Sequence, residues 1–260
     1  MDEVLLRDHL SGLPLAALRC LDVTGSTNQD AMQWAEQGAN DFSLVVADHQ
    51  TAGRGRLGRK WVTNPGAALA FSLILRPDRT EEGALGLFSG LAALAVCGAL
   101  AAHGLQAEIK WPNDVLLNRK KTCGILAEAA WSGARLDALV LGVGVNVNAG
   151  SVPPPAEMMY PATCVESELG APVDRFALLG AILRELAAWR PRMTSPEFVA
   201  AWQARLAFLG EPIQVASPDQ DALDGVLLGI DREGGLRLDR GENGFMTVLA
   251  GDVRLRPHST

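Results

Sequence analysis

A chain of 260 residues with formal charge −7 and a pI near 5.2 lacks the broad basic face of a general nucleic-acid binder. Its 48% apolar and 20% charged residues describe one or two ordinary globular domains, able to bury roughly 70–75% of the extended-chain surface. Asp2, Glu3, Arg7 and Asp8 interrupt the start where a secretory leader needs an apolar run, and Cys20, Cys97, Cys123 and Cys164 show no C-x-x-C pairing. A reduced, cytoplasmic protein without zinc site or disulfide framework is expected.

In chain order, Ser26-Thr27 followed by a polar run and Gly38 predicts an N-capped helix that stops at a glycine. Residues 44–47 form a short apolar strand feeding a glycine-rich loop. Ala68–Leu75 is a second strand, closed by Arg76-Pro77-Asp78. Residues 84–102 carry no charge and are about long enough to span a bilayer. Their alanine, leucine and glycine content, without basic or aromatic flanks, favours a central helix of a soluble protein. That helix ends near His103-Gly104, where histidine suits the helix dipole.

Four strand-like runs follow, at Ala107–Lys110 and residues 115–117, 124–130 and 139–146. They sit too close for helical crossovers, so hairpins and a mixed, largely antiparallel sheet are expected, an α+β arrangement. Residues 149–161, with Pro153-Pro154-Pro155, read as a loop, and helices are expected at Arg175–Trp189 and residues 196–208. From Glu211 the spacing predicts short strands at 213–215, 225–230, 236–238, 245–249 and 253–255, which suggests a small barrel. A boundary near Leu209-Gly210 divides the chain into 1–209 and 210–260.

The glycine-rich loop, residues 47–61, packs four cations (Arg54, Arg56, Arg59, Lys60) and three glycines (Gly53, Gly55, Gly58) into an acidic protein. Glycines let backbone N–H groups approach a ligand, and arginine forks match carboxylate and phosphate oxygens. Gly53 to Gly58 spells G-x-G-x-x-G, yet no helix follows to receive a pyrophosphate, so the dinucleotide reading fails on context. A P-loop would need Gly-Lys-Ser/Thr, and the later signatures of a kinase are missing. Alone, the loop reads better as a solvated basic turn. A second cluster, Lys110-Trp-Pro-Asn-Asp114 through Lys121 to Leu126, supplies Asn113 and Asp114 oxygens suited to Mg²⁺ and a lysine placed to reach a carboxylate or phosphate. That cluster alone reads equally as a hairpin with an Asn-Asp corner. Together the two point to an anion site.

These segments resemble biotin protein ligases. The resemblance rests on Gly25-Ser-Thr-Asn28, on Gln50-Thr-Ala-Gly-Arg-Gly-Arg56 with Gly58-Arg-Lys-Trp61, on Lys110-Trp-Pro-Asn-Asp114, on Lys120-Lys-Thr-Cys-Gly-Ile-Leu126, and on Gly142-Val-Gly-Val-Asn-Val-Asn148. It runs from about residue 20 to the C-terminus. It implies a class II synthetase-like biotin/lipoate ligase fold with an SH3-like C-terminal barrel. It also implies a two-step reaction: biotin and Mg·ATP give biotinyl-adenylate and pyrophosphate, and a lysine of a carboxyl carrier protein then takes the biotinyl group. By the same resemblance Ser26, Thr27, Asn28, Gln50, Gly53, Arg54, Gly55, Arg56, Lys121 and Gly124 contact biotin or its acyl-phosphate. Arg56, Arg59, Trp61, Lys110, Asn113 and Asn146 lie at the nucleotide, and Arg56, Lys110 and Lys121 serve catalysis. Asp114 sits at Mg²⁺, with Asn113 or Asn146 as weaker candidates.

The chemistry explains such a set, because a carboxylate attacking the α-phosphorus of ATP brings anion against polyanion. A glycine- and arginine-rich loop suits ordering over the adenylate, where ligand anions offset its lost chain entropy. His49 lies in the loop without an evident partner and reads as a surface residue. Thr51 stands where many relatives have a second glutamine, and Pro153–Pro155 departs from the usual lid. About twenty residues precede the first motif, too few for a three-helix DNA-binding module, so a ligase without DNA binding or membrane attachment is expected, as monomer or homodimer. A lipoate or octanoate ligase of the same fold, and a biotin-responsive binding protein without turnover, are the alternatives.

Overall fold

The computed structural model describes residues 1–61, 63–133, 135–154, 156, 160–217 and 220–255. The chain opens with α1 (Glu3–His9), whose start is capped by the Asp2 carboxylate accepting from the Val4 and Leu5 amides. Then come β1 (Ala17–Thr24), α2 (Thr27–Glu36), β2 (Ser43–Gln50) and β3 (Ala68–Leu75). A one-turn α3 (Arg79–Glu82), closed by a capping box between Asp78 and Glu81, precedes α4 (Leu87–Ala101). Next are β4 (Ala107–Lys110), β5 (Asp114–Leu117), β6 (Lys120–Ser132) and β7 (Arg135–Asn146), followed by α5 (Val165–Leu169), α6 (Arg175–Trp189) and α7 (Pro196–Gln203).

Seven strands form one sheet in the order β1-β2-β3-β7-β6-β5-β4. Among the strand pairs of the described residues β1 and β2 run parallel, joined through α2 as a crossover, and the others are antiparallel. Mixed, largely antiparallel pairing is therefore what the short connections dictated. The α2 crossover produces the exception, since parallel neighbours need a helix-length return. Its N-cap, Ser26, has extended backbone but makes no side-chain capping bond, which leaves the hydroxyl for other use.

Helices cover the two faces unequally. On one face α4 packs on β4–β7 and on α6, while α1 rests on α6. The charge-free α4 buries twelve of its fifteen residues there, which accounts for its composition; among the described residues no helix is long and apolar enough to cross a membrane. Gly90 of α4 lies under the Trp202 ring, where a Cβ would come within 2.3 Å of Cζ3. All eight side chains of β3 are buried, and truncating Phe71 to alanine would cost about 3–5 kcal/mol. On the opposite face α2 packs over a small apolar cluster that includes Ala31, Ala35, Val45 and Val140. The rest of that face is free to form a cleft.

The C-terminal segment folds as β8 (Pro212–Ser217), β9 (Gln220–Ile230), β10 (Leu236–Asp239), β11 (Phe245–Val248) and β12 (Asp252–Leu255). These make a second, antiparallel sheet in the order β11-β10-β9-β8-β12. The expected barrel is not found closed: among the described residues the outer strands β11 and β12 pair only with β10 and β8. The two sheets are tied together near the Lys110–Asp114 motif, where the Trp111 indole N–H donates to the Gly234 carbonyl at 2.9 Å. Of the proline loop, residues 149–151 form a short turn, while Pro155 and residues 157–159 lie outside the described residues.

Candidate active site

The free part of the α2 face holds a cleft of about 690 Å³, a figure that includes space open to solvent. Its floor is backbone. Gly124 of β6 stands opposite Gly144 of β7 in the strand register, and Gly142 lies two residues back on the same face. A Cβ at Gly142 would fall 1.9 Å from Asn28 Oδ1, and one at Gly144 would fall 2.4 Å from Trp61 Cε2. Glycine is required at both by close approach, so neighbouring groups lie directly on the strands.

Polar anchors rise from the start of α2 and the end of β2. Ser26, Thr27, Asn28 and Gln50 are all buried. Gln50 Oε1 accepts from the Thr27 amide at 2.8 Å and from its hydroxyl at 3.1 Å. Asn28 Nδ2 donates to the Leu126 carbonyl at 3.1 Å and to Glu128 Oε2 at 2.8 Å. Beneath them Ser72 Oγ lies 2.6 Å from Asn28 Oδ1 and 2.8 Å from Thr27 Oγ1. Ser72 and Glu128 carry no signal in the sequence, since one sits in an apolar strand and the other past the end of a recognisable motif.

The glycine-rich loop forms the facing wall. It closes on itself through Trp61 N–H to Gly53 O at 2.8 Å and Gly55 N–H to Arg59 O at 2.7 Å. Gly53 serves the loop rather than the cleft, because a Cβ there would meet Trp61 O at 2.5 Å. Arg54 pairs with Glu128 at 2.9 Å. Arg56 reaches Asn113 Oδ1 at 3.3 Å and the Gly251 carbonyl at 3.2 Å, and Arg59 pairs with Asp252 of the second sheet. The Trp61 indole covers Gly124 and Gly144; its N–H is buried with no hydrogen-bond partner among the described residues.

At the far end, Asp114 takes Lys121 Nζ at 2.5 Å on one oxygen and Lys110 Nζ at 3.3 Å on the other. Burial would push the Asp114 carboxyl up, but the two ammonium groups outweigh it and hold it below the ordinary carboxylate range. Asn113 is pinned by bonds to and from Ile125. Lys110 lies behind Asp114, against the Tyr160 ring at 5.0 Å, and Asn146 is turned to the Thr163 carbonyl. Neither Lys110, Asn146 nor Gly53 lines the cleft, whereas the remaining expected residues do. Burial pushes the Cys97 thiol to about 12 and raises Cys123 as well, which leaves both unreactive. His49 touches Thr63 Oγ1 at 3.4 Å.

Asp114, the residue expected at Mg²⁺, is ion-paired in this structure. Both of its oxygens already face ammonium groups, and among the described residues no three of His, Cys, Asp and Glu are grouped to hold an ion. Mg²⁺ keeps several waters and takes its remaining oxygens from one or two carboxylates and from substrate phosphates, so a single carboxylate at the cleft is compatible with a Mg·ATP substrate.

A glycine floor, buried amide and hydroxyl anchors, and a ring of cations together suit a ligand with a polar end and an anionic end. Residues 20–146 match the sequence pattern of the Biotin/lipoate A/B protein ligase family. The biotin–[acetyl-CoA-carboxylase] ligase of Paracoccus denitrificans is 40% identical over 88% of this chain and 97% of its own length. That of Mycobacterium tuberculosis is 38% identical over 97% and 95%. The solved biotin protein ligase from Aquifex aeolicus, in complex with biotin and ATP, superposes with a TM-score of 0.79 at 30% identity, covering 93% of this chain and 99% of that one. The chain belongs to the biotin protein ligase family.

Proposed function

We propose that this chain is a ligase that activates biotin with ATP to biotinyl-adenylate, releasing pyrophosphate, and passes the biotinyl group to a lysine of a carboxyl carrier protein. The observation that carries this is the convergence of the two motif clusters on one cleft, with amide and hydroxyl anchors at one end and Arg56, Arg59 and Lys121 at the other. The family and the ligands of its solved member support the substrates.

In this reading the ureido ring of biotin lies on the glycine floor near Gly124, among Ser26, Thr27, Asn28 and Gln50, with Arg54 and Gly55 closing over it. Its carboxylate points to Lys121 and Arg56. These two cations lower the repulsion as a carboxylate oxygen attacks the α-phosphorus and pyrophosphate leaves; such preorganised charge is worth about 2.7–4 kcal/mol per donor in comparable sites. Asp114 holds Lys121 in place and balances its charge until the anions arrive, and Lys110 backs the same carboxylate. Arg59, Trp61 and Asn113 face the nucleotide. Mg²⁺ enters as part of the Mg·ATP substrate. In the second step the carrier lysine attacks the acyl carbon, forms an amide and expels AMP. Residues 1–209 form the catalytic unit and 210–260 a smaller unit with the strand count of an SH3-like module. Four free cysteines suit a reducing cytoplasm.

The test is incubation of the protein with labelled biotin, ATP and a carrier domain, alongside pyrophosphate release with biotin or lipoate. Covalent, ATP-dependent label on the carrier is expected. Pyrophosphate release with lipoate but not biotin would overturn the reading in favour of a lipoate ligase.

A further inference from the structure

Asn28 sits at the ring end of the cleft, and the direction in which its amide points decides what the cleft can recognise. An amide can donate or accept, and its neighbours determine which. The Leu126 carbonyl and the Glu128 carboxylate can only accept, and both lie within 3.1 Å of Asn28 Nδ2. They consume both amide protons. The oxygen must therefore face Ser72, whose hydroxyl donates to it at 2.6 Å. Ser72 is fully buried and is the one polar residue of β3, opposite Gly142 in the strand register. That Oδ1 overhangs Gly142 so closely that no Cβ fits beneath it. One of its lone pairs goes to Ser72, which leaves the other for a ligand.

We propose that Ser72 and Glu128 are positioning residues which together lock the Asn28 amide with its oxygen toward the substrate ring, so that the site selects a ring carrying an N–H donor. The inference rests on biotin being the substrate. A cyclic urea offers such a donor and a dithiolane does not, so the lock also discriminates against a lipoyl substrate. Sites built to bond a polar group reject analogues lacking it far more strongly than apolar pockets reject a methylene. Glu128 has a second contact, since the same Oε2 accepts from Arg54 Nη2 of the loop at 2.9 Å. The Arg54 contact therefore also holds in place the acceptor that orients Asn28.

The experiment measures kcat/KM for biotin, and for biotin methylated at each ureido nitrogen in turn, by pyrophosphate release from the full chain. Ser72→Ala is expected to raise the KM for biotin about tenfold and to shrink the preference for biotin over the methylated ring by a similar factor, the size of one buried hydrogen bond. The KM for ATP should stay within about twofold. Glu128→Gln, which can turn an amide N–H toward Asn28, should move the same ratio in the same direction. The double variant should lose less than the product of the two, because both act on one amide. Ser72→Thr keeps the hydroxyl and should restore the ratio, which separates positioning from loss of fold. Equal losses for biotin and its methylated analogues, or a KM for ATP that rises in step, would overturn the proposal. Wild-type protein that releases no pyrophosphate with biotin would instead overturn the function on which it rests.

Discussion

The two walls of the cleft are built on opposite physical terms. The anchor wall is made of short, buried side chains: Ser72 is 0% exposed, Thr27 and Asn28 4%, and Gln50 8%. Its hydrogen bonds stay out of water and fix donor and acceptor directions before any ligand arrives. The loop wall is made of long cations whose side chains are 26–48% exposed, held by ion pairs to Glu128 and Asp252. Pairs of that kind contribute little and exchange readily. The contrast suits the proposed reaction, in which ring recognition needs fixed geometry and the cations need to exchange protein carboxylates for substrate anions.

The junction between the walls should be the most sensitive point. Replacing Lys121 with alanine removes a cation from the reacting carboxylate and leaves Asp114 with Lys110 alone. Biotin-dependent pyrophosphate release should fall by about 10²–10³-fold, with the loss mainly in kcat. A change below about fivefold would mean that Lys121 is not at the reacting atoms.

The glycine floor tests the contrast directly. Gly142→Ala drives a methyl group into Asn28 on the buried anchor wall, whereas Gly144→Ala meets Trp61 on the more exposed loop wall. Overpacking costs about 1–3 kcal/mol where neighbours cannot yield. Biotin affinity by calorimetry should therefore drop toward the upper end of that range for Gly142→Ala and toward the lower end for Gly144→Ala. Equal losses would erase the distinction between the walls.

Asp114 gives a pH signature of the junction. Its carboxyl is held below the unfolded value near 3.9, so its contribution to stability is present above that pH and is lost as pH falls through the lower folded value. Denaturant midpoints from pH 6 to pH 3 should show wild-type protein losing this increment in acid. Asp114→Asn, without a titrating group, should show a shallower acid loss. Parallel acid curves for the two proteins would remove Asp114 from the account.

Much of the framework was legible because it rests on local rules. β3 and α6 fall at their expected bounds, and the close spacing of the runs from residue 107 to 146 required hairpins. α1 and β1 carry little sequence signal: α1 is short and mostly exposed, β1 has no fully buried residue, and β1 gains its pairing from β2 across the α2 crossover. At the site, motif residues were legible as residue types but their partners were not. Ser72 reads as one hydroxyl in an apolar strand, and only the fold brings it under Asn28. Asp252 lies 193 residues from Arg59 in sequence, so no pattern near the loop announces it. The Asn-Asp corner marks Asp114 as an oxygen donor, but the sequence could not reveal that Lys110 and Lys121 both fold back onto it.

Asp252 supplies the smallest effect and the finest test of the loop wall. It brings a carboxylate from the second sheet to Arg56 and Arg59, so in the empty protein it stands where substrate anions would neutralise the same cations. The pairs are partly exposed, so Asp252→Asn should change global stability by less than about 1 kcal/mol. The loop should respond more clearly. Without its counter-ion the segment from Arg54 to Lys60 should be cut faster by trypsin in the empty protein, and biotin plus ATP should restore protection by supplying the anions themselves. A variant loop digested at the wild-type rate would show that its own backbone bonds at Gly53–Trp61 and Gly55–Arg59, rather than the second sheet, keep the loop in place.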